Sequence, residues 1–413
     1  MEIVKKIPVS DHPWLRMPSL VNLLDILNRD GLNARMVGGC VRDALLGRKI
    51  IDIDMACSLR PEETMRRLKK AGVKVVPTGL KHGTITAVVD KHNFEITALR
   101  RDEETYGRRA KVVYIDDWQE DARRRDFTIN ALYLDADGSL YDPCGGLRDI
   151  AARRVCFIGD ADQRIHEDAL RILRFFRFAA QIGQGEMDPA GLAACLKNKS
   201  LIDKLSGERL AQEVFKILGS ETLLPVMKVM DEGGILDKII PNHEDIQELN
   251  AYVRVEKALG KCNILARLSC LLRKDNEAIE NINRHLKLSN KQVKILKNYA
   301  NHDISLQTDM SQKDIRRVIY HYGRDLFIFA LLQSWAHAAG DENHEAWRKI
   351  LAYGEAWPIP VFPVQGKDLM AGGLKSGVEI GRKLRALEQE WAQSDFQLTR
   401  EEMLTSDAER KSG

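Results

Sequence analysis

Between Ala34 and Met55 the chain sets together residues that belong to phosphate chemistry. Gly38-Gly39 stands where a strand-like run, Ala34-Arg-Met-Val37, gives way to a short helix that starts near Cys40 and stops at Gly47. Paired glycines at a helix N-terminus let the backbone approach a phosphate, whose charge the amides and the helix dipole stabilise. Arg42, in the first turn, can reach the same anion with two N–H groups. Then follows Ile51-Asp52-Ile53-Asp54-Met55. In a strand the side chains alternate, so the apolar residues face one side and both carboxylates the other. Aspartates at i and i+2 lie roughly 6–7 Å apart, a spacing that suits a pair of Mg²⁺ ions ~3.5–4 Å apart. Magnesium takes oxygen ligands and works beside substrate phosphates. A lone Asp-x-Asp is ordinarily a solvated strand face. Behind a Gly-Gly turn and a short helix, it points to metal-dependent nucleotidyl transfer at a phosphate cradle. Asp52 and Asp54 are the expected catalytic metal ligands, and Gly38, Gly39 and Arg42 the expected nucleotide contacts.

The elements that must position these residues change character along the chain. A short amphipathic helix is expected over 18–30. From there to about 160, strand-like runs (Ala34–Val37, Ile50–Met55, Val73–Val76, Ile85–Val89, Phe94–Thr97, Ala131–Leu134) alternate with turn signals and a helix from Pro61 to Ala71. Asp137-Gly138 predicts a hairpin turn. Beyond 160, apolar residues recur at helical spacing in Ala169–Ala180, Leu210–Leu218, Leu223–Met230, Ile264–Leu272, Asp314–Tyr322 and Leu326–Ala339, and strand-like alternation nearly vanishes. The class read from this is α+β: a head with a mixed sheet, then an all-α remainder. The extended run Trp357-Pro-Ile-Pro-Val-Phe-Pro-Val precedes a helical piece over 366–393, and 406–413 is expected to fray.

The run Val37-Gly-Gly-x-Val-Arg-Asp-x-Leu-Leu-Gly47 with Asp52-x-Asp54 resembles the signature of class II tRNA nucleotidyltransferases and bacterial poly(A) polymerases. The resemblance implies a head of the polymerase-β nucleotidyltransferase type, and the family's other motifs follow in order. Arg124-Arg-Asp-Phe-Thr-Ile-Asn-Ala-Leu132 is similar to its second motif, implying sugar and triphosphate recognition. Arg125 can bind phosphate, and Asp126 can accept from a ribose hydroxyl. Glu167-Asp-x-x-Arg171 matches its nucleobase-reading helix. Asp168 and Arg171, at i and i+3, are expected on one helical face. Cytosine and adenine both present an amino donor beside a ring-nitrogen acceptor. A carboxylate accepts from the first and a guanidinium donates to the second, whereas uracil and guanine put a carbonyl against the carboxylate. One Asp/Arg pair can thus take C and A without a template. Arg174 and Arg177 continue the stripe, and the resemblance implies contact with the incoming nucleotide. Glu167 is expected to position its neighbours. Glu95, by analogy with related folds, is a candidate third carboxylate, and His166 reads as structural. Ser206-Gly-Glu-Arg-Leu-Ala-Gln-Glu213 resembles a further motif, read as a Ser N-cap with an Arg209–Glu213 pair serving stability.

The organisation this implies is a head over 1–160, a neck over 161–225, a body over 226–355 and a tail over 356–413 that contacts tRNA. The expected activity is CCA addition to the tRNA 3′ end from CTP and ATP with Mg²⁺. Poly(A) polymerases and partial CC- or A-adding enzymes are the alternatives. Thr78-Gly-Leu-Lys-His-Gly-Thr-Ile-Thr86, Gly366-Lys-Asp-Leu and Gly373–Gly381 resemble stretches of tRNA nucleotidyltransferases and favour CCA addition. The loop Arg101–Ala110 favours the full activity, because CC-adding relatives are altered there. Its charge and glycine predict a mobile segment over 101–112.

Composition agrees by exclusion. The 413 residues are 44% hydrophobic and carry a net charge of +3, so bulk charge does not announce a polyanion partner. Arg100, Arg101, Arg108, Arg109, Lys111 and Arg123–Arg125 concentrate positive charge among interleaved acids, which suits phosphate contacts or a salt-bridged surface. No apolar run of ~18 residues predicts a membrane span, and no signal peptide is evident, so the cytoplasm is expected. The seven scattered cysteines lack a C-x-x-C pair, which argues against a zinc ribbon or disulfide framework.

Overall fold

The computed structural model describes residues 1–31, 33–103, 111–183, 187–338, 344–375 and 377–411. They fold as two compact units, Met1–Pro241 with His285–Lys287, and Asn242–Arg284 with Leu288–Gly413.

The first unit holds strands β1 (Lys5–Lys6), β2 (Ala34–Val37), β3 (Ile53–Cys57), β4 (Lys74–Gly79), β5 (Thr84–Val89), β6 (His92–Ala98), β7 (Arg100–Glu103), β8 (Lys111–Tyr114), β9 (Tyr133–Leu134) and β10 (Ser139–Tyr141). Eight form one sheet in the order β1-β10-β9-β2-β3-β6-β5-β4, and β7–β8 is a separate ribbon. Only β3 and β6 pair in parallel, with Asp54 opposite Glu95; the other pairs are antiparallel. The sheet is therefore mixed, as the turn-punctuated head predicts. Asp137-Gly138 lies in the β9–β10 hairpin, where Gly138 takes φ +85°.

Two boundaries beside the site differ from the sequence reading, and the helical piece expected over 366–393 divides into Gly366–Ala371 and Gly377–Gln393. The strand expected over Ile50–Met55 begins at Ile53, so Asp52 precedes it, and Ile51 is 85% exposed instead of sharing a buried face with Ile53 and Met55. The reason is pairing: β2 ends at Val37, where Gly38 turns the chain, and β6 meets β3 first at Ile53–Phe94. Likewise Ala131–Leu134 shortens to β9 behind a 3₁₀ turn at Thr128–Asn130. The segment predicted mobile over 101–112 falls largely on 104–110, outside the described residues.

The helices of this unit are α1 (Pro18–Leu27), α2 (Gly39–Leu45), α3 (Pro61–Lys70), α4 (Trp118–Arg123), α5 (Gly146–Ala151), α6 (Ala161–Glu167), α7 (Leu170–Ile182), α8 (Pro189–Lys197), α9 (Gly207–Leu218), α10 (Leu223–Glu232) and α11 (Leu236–Ile239). α7 buries Phe175 and Phe178 against Phe127 and Phe175 against Phe157, with ring centroids 5.5–6.3 Å apart, which ties α7 to the Arg124–Leu132 segment.

The second unit is all helical among the described residues: α12 (Ile246–Ala258), α13 (Ile264–Ser269), α14 (Asn276–Leu286, its end shared with the first unit), α15 (Asn290–Ala300), α16 (Gln312–Tyr322), α17 (Arg324–His337), α18 (His344–Ala356), α19 (Gly366–Ala371), α20 (Gly377–Gln393) and α21 (Arg400–Lys411). Its proline-rich run after Trp357 has no regular structure, and Val364, Leu369, Leu387, Trp391 and Met403 form a core around α19–α21. The end expected to fray is helical to Lys411. Thr399 starts that helix: its hydroxyl accepts from the Glu402 N–H at 3.3 Å, while the Glu402 carboxylate accepts from the Thr399 N–H at 2.7 Å. No helix among the described residues is long and apolar enough to cross a membrane. Of the cysteines, 40, 57, 195 and 270 are buried, 144 and 156 partly so, and Cys262 is exposed.

Candidate nucleotide and metal site

A cavity of about 690 Å³ opens in the first unit, lined by Gly38, Gly39, Arg42, Asp52, Asp54, Arg125, Asp126, Asp168, Arg171, Arg174 and Arg177. Apart from Glu95, the residues singled out for the nucleotide or the metal meet in one place, drawn from β3 and the residue before it, the turn into α2 and α2 itself, the segment before the 3₁₀ turn, the α6–α7 junction and α7.

Gly38 makes the turn. It caps α2 with φ 73° and ψ −122°, a conformation that side chains disfavour. Arg42 is held in place from two sides: Nη1 donates to Asn130 Oδ1 at 2.7 Å, and Nε and Nη2 donate to Asp43 at 2.9 Å. Its guanidinium also lies 4.9 Å from the centre of the Phe178 ring.

Asp52 and Asp54 face the same cavity even though Asp52 precedes the strand. Burial and the negative charges of Glu95 and Asp52 push the Asp54 carboxyl up to about 6, against the pull of Arg125 and Arg42. The donors are hard oxygens, which fit magnesium. Among the described residues no group of three or more His, Cys, Asp or Glu side chains is arranged to hold an ion alone, so phosphate or water oxygens would have to complete the shell. Glu95, expected as a possible third carboxylate, is exposed on β6 beside Asp54 in register and does not line the cavity.

The basic motif is anchored by an acid outside it. Buried Asp121 accepts from Arg124 Nε at 2.9 Å, Arg125 Nη2 at 3.0 Å and Tyr133 Oη at 2.8 Å. Burial opposes its ionisation, but the charges of Arg125 and Arg124 outweigh that and hold it down at about 2. Asp126, expected to accept from a ribose hydroxyl, is itself buried and engaged. Its Oδ1 accepts from the Phe127 N–H at 2.8 Å and Asn130 Nδ2 at 3.0 Å, and its Oδ2 from Arg174 Nε at 2.6 Å. Burial again works against its charge, and Arg174 and these hydrogen bonds more than offset it. A ribose hydroxyl would compete with Arg174 for this group.

Asp168 is not on a helix with Arg171. It ends α6 with φ −151° and ψ 105°, and α7 begins at Leu170. An aspartate just before an apolar run competes for backbone N–H groups, and here its Oδ1 accepts from the Leu170 N–H at 3.1 Å. Oδ2 accepts from Arg209 Nη2 at 2.8 Å. Arg171 Nη1 donates to Glu167 Oε2 at 2.6 Å, which is the neighbour-positioning expected of Glu167, and to the Arg164 carbonyl at 2.9 Å. Arg177 is buried, its Nη1 donating to Glu213 Oε1 at 3.2 Å. The pair expected between Arg209 and Glu213 is thus not made: each bonds instead to a residue lining the cavity.

Asn130, Phe178 and Lys216 also line the cavity and were not singled out from sequence. Asn130 bridges Arg42 and Asp126, and Phe178 lies under Arg42, Arg174 and Arg177 at 4.9, 5.4 and 4.1 Å. The sequence signal for Asn130 was its place inside the basic motif. Phe178 reads as an ordinary core aromatic, and Lys216 as a helix-surface charge.

The chain is similar in sequence and fold to known proteins. Residues 34–156 match the poly A polymerase head domain, and 186–247 match a segment described as the probable RNA and SrmB-binding site of polymerase A. The mitochondrial CCA tRNA nucleotidyltransferase 1 of Danio rerio is 33% identical over 407 residues, covering 94% of this chain and 90% of that protein. The CCA-adding enzyme of Geobacillus kaustophilus is 37% identical over 211 residues, 51% of each chain. The crystal structure of the Bacillus stearothermophilus CCA-adding enzyme in complex with CTP superposes with a TM-score of 0.74 at 25% identity, covering 95% of this chain and 97% of that one. With motifs, fold and near-full-length similarity in agreement, the chain belongs to the metal-dependent nucleotidyltransferase family of CCA tRNA nucleotidyltransferases and poly(A) polymerases.

Proposed function

We propose that this protein adds CCA to the 3′ end of tRNA from CTP and ATP, releasing pyrophosphate, with Mg²⁺ held by Asp52 and Asp54. The observation that carries the reading is the convergence on one cavity of the carboxylates, the Gly38-Gly39 turn and the Asp168/Arg171 pair. Metal, triphosphate and base are then addressed together. The RNA 3′-hydroxyl oxygen bonds to the α-phosphorus, the bond to pyrophosphate breaks, and the hydroxyl proton is released. Bound magnesium supplies the positive charge that polarises the α-phosphate and favours the ionised hydroxyl. Gly38, Gly39, Arg42 and Arg125 bind the triphosphate, with Asp43, Asn130 and Asp121 keeping the two guanidiniums aimed. Asp126 holds Arg174 toward the nucleotide. Asp168 accepts from the base amino group and Arg171 donates to the adjacent ring nitrogen, so C and A are taken and U and G refused. In this reading the head is 1–160, the neck 161–225, the body 226–355 and the tail 356–413, the last contacting tRNA.

The relatives named as CCA tRNA nucleotidyltransferases support CCA over poly(A) addition; the head-domain match serves either. One assay separates them. The protein is incubated with Mg²⁺, with tRNA lacking its CCA or with an unrelated RNA, and with each NTP alone and in pairs, and the product ends are read. CCA on tRNA only is expected. A-tails on both RNAs would mean a poly(A) polymerase, and CC or A alone a partial enzyme.

A further inference from the structure

We propose that Arg209 is a positioning residue that sets base selectivity by fixing the Asp168 carboxylate. The inference rests on the reading of Asp168 as base acceptor and adds the group that makes its orientation definite.

Asp168 sits in the break between α6 and α7, where its N–H donates to the Arg164 carbonyl at 3.3 Å and its carbonyl accepts from the Arg171 N–H at 3.0 Å, so the backbone is placed and the carboxylate is what remains to be oriented. A carboxylate turns readily about its last torsion, which has broad, two-fold preferences. Two donors define this one: the Leu170 N–H on Oδ1 at 3.1 Å and Arg209 Nη2 on Oδ2 at 2.8 Å. The first tethers one oxygen to the start of α7. The second decides where the other oxygen points, and hence the direction of the lone pairs left for a base amino group.

Arg209 comes from a firmly placed element. It lies in the first turn of α9, and a Cβ at Gly207 would stand 2.4 Å from the His285 carbonyl oxygen, so the start of α9 is pressed against that segment. One turn on, Glu213 bonds to Arg177 and is not available to Arg209 at i+4. The two side chains of the Asp168–Arg209 pair are 37% and 48% exposed. An ion pair so open to solvent contributes little to folding. Its consequence is geometric, and it falls on a residue that lines the nucleotide cavity.

The test is single-turnover incorporation of each of the four NTPs into tRNA lacking its CCA, by the full-length protein and by Arg209→Ala, Arg209→Lys, Asp168→Ala and the Arg209→Ala/Asp168→Ala double variant. Arg209→Ala is expected to lower discrimination of CTP over UTP and of ATP over GTP by about fivefold, the scale of one half-exposed ion pair. KM for CTP and ATP should rise while kcat changes less, and Arg209→Lys should recover part of the discrimination. In the Asp168→Ala background, removing Arg209 should change discrimination no further. An equal loss for all four nucleotides in Arg209→Ala, or a full extra loss in the Asp168→Ala background, would mean that Arg209 acts through folding or another group and overturns the inference. Unchanged discrimination in Arg209→Ala while Asp168→Ala loses it also overturns the inference and leaves the base-reading proposal standing. Full discrimination in Asp168→Ala removes that reading, and this inference with it.

Discussion

Replacing Glu213 by Gln would leave the Arg177 guanidinium charged, 8% exposed and beside Arg174. Burial and Arg174 already pull Arg177 down to about 10, with Glu213 acting in the opposite sense. At the observed 3.2 Å, an effective dielectric of ~20 gives an attraction of about 5 kcal/mol. Part of this offsets the cost of desolvating both groups. Removing one partner of a buried pair typically costs about 3–5 kcal/mol, and the amide retains an acceptor, so the lower figure applies. At ~2–4 °C per kcal/mol for a unit of 150–250 residues, Tm should fall by roughly 6–12 °C. The Arg177→Met/Glu213→Leu double variant, which removes both charges, should recover most of the loss. Thermal and urea unfolding of Glu213→Gln, Arg177→Met and the double variant measure this. A loss below about 1 kcal/mol in Glu213→Gln, or a double variant no more stable than the single ones, would refute the argument. The same proteins separate packing from binding at Arg177: if it also touches the nucleotide, the double variant regains stability yet keeps a raised KM for CTP.

The other tests are direct. Asp52→Ala and Asp54→Ala should each abolish nucleotide transfer for every NTP while far-UV circular dichroism and Tm stay near those of the parent; near-normal turnover in both removes the metal assignment. Chelation with EDTA should stop incorporation and Mg²⁺ should restore it, whereas activity persisting in EDTA would exclude a dissociable metal. Gly38→Ala forces a side chain into φ 73°, ψ −122°, though the new Cβ would meet nothing closer than 3.7 Å, so the cost is backbone strain of about 1–3 kcal/mol. An unchanged Tm in that variant would show that the turn relaxes at no cost.

Much of the site was legible because its chemistry is local. The Gly-Gly turn, Arg42 and Asp52-x-Asp54 lie within one stretch, and φ > 0 at Gly38 and at Gly47 is what glycine there foretells. The two Asp-based expectations that changed did so for a shared reason. Periodicity treats a segment as one uniform element, whereas a strand lasts only as far as its neighbours and a helix only as far as its side chains leave the backbone alone. Asp52 fell outside β3 because β2 ends at Val37, and Asp168 fell between helices because its carboxylate binds the Leu170 N–H.

From sequence alone came the α+β division and the Gly-Gly and Asp-x-Asp groups, which follow from residue type and short-range spacing, while the later motifs were placed by their resemblance to a known family. The tertiary structure decided which partner each charge takes. Arg209 and Glu213 stand at ideal helical spacing, yet they turn to Asp168 and Arg177, 41 and 36 residues away in the chain. Asp121 holds Arg125, and Asp126 holds Arg174. Spacing limits which charges can meet within a helix, but many long side chains are always within reach of several others. The choice among them is made by the packing of α7, α9 and the strands beside them, and where Asp121, Asp126 and Glu213 are buried, the cost of an unpaired charge settles the pairing.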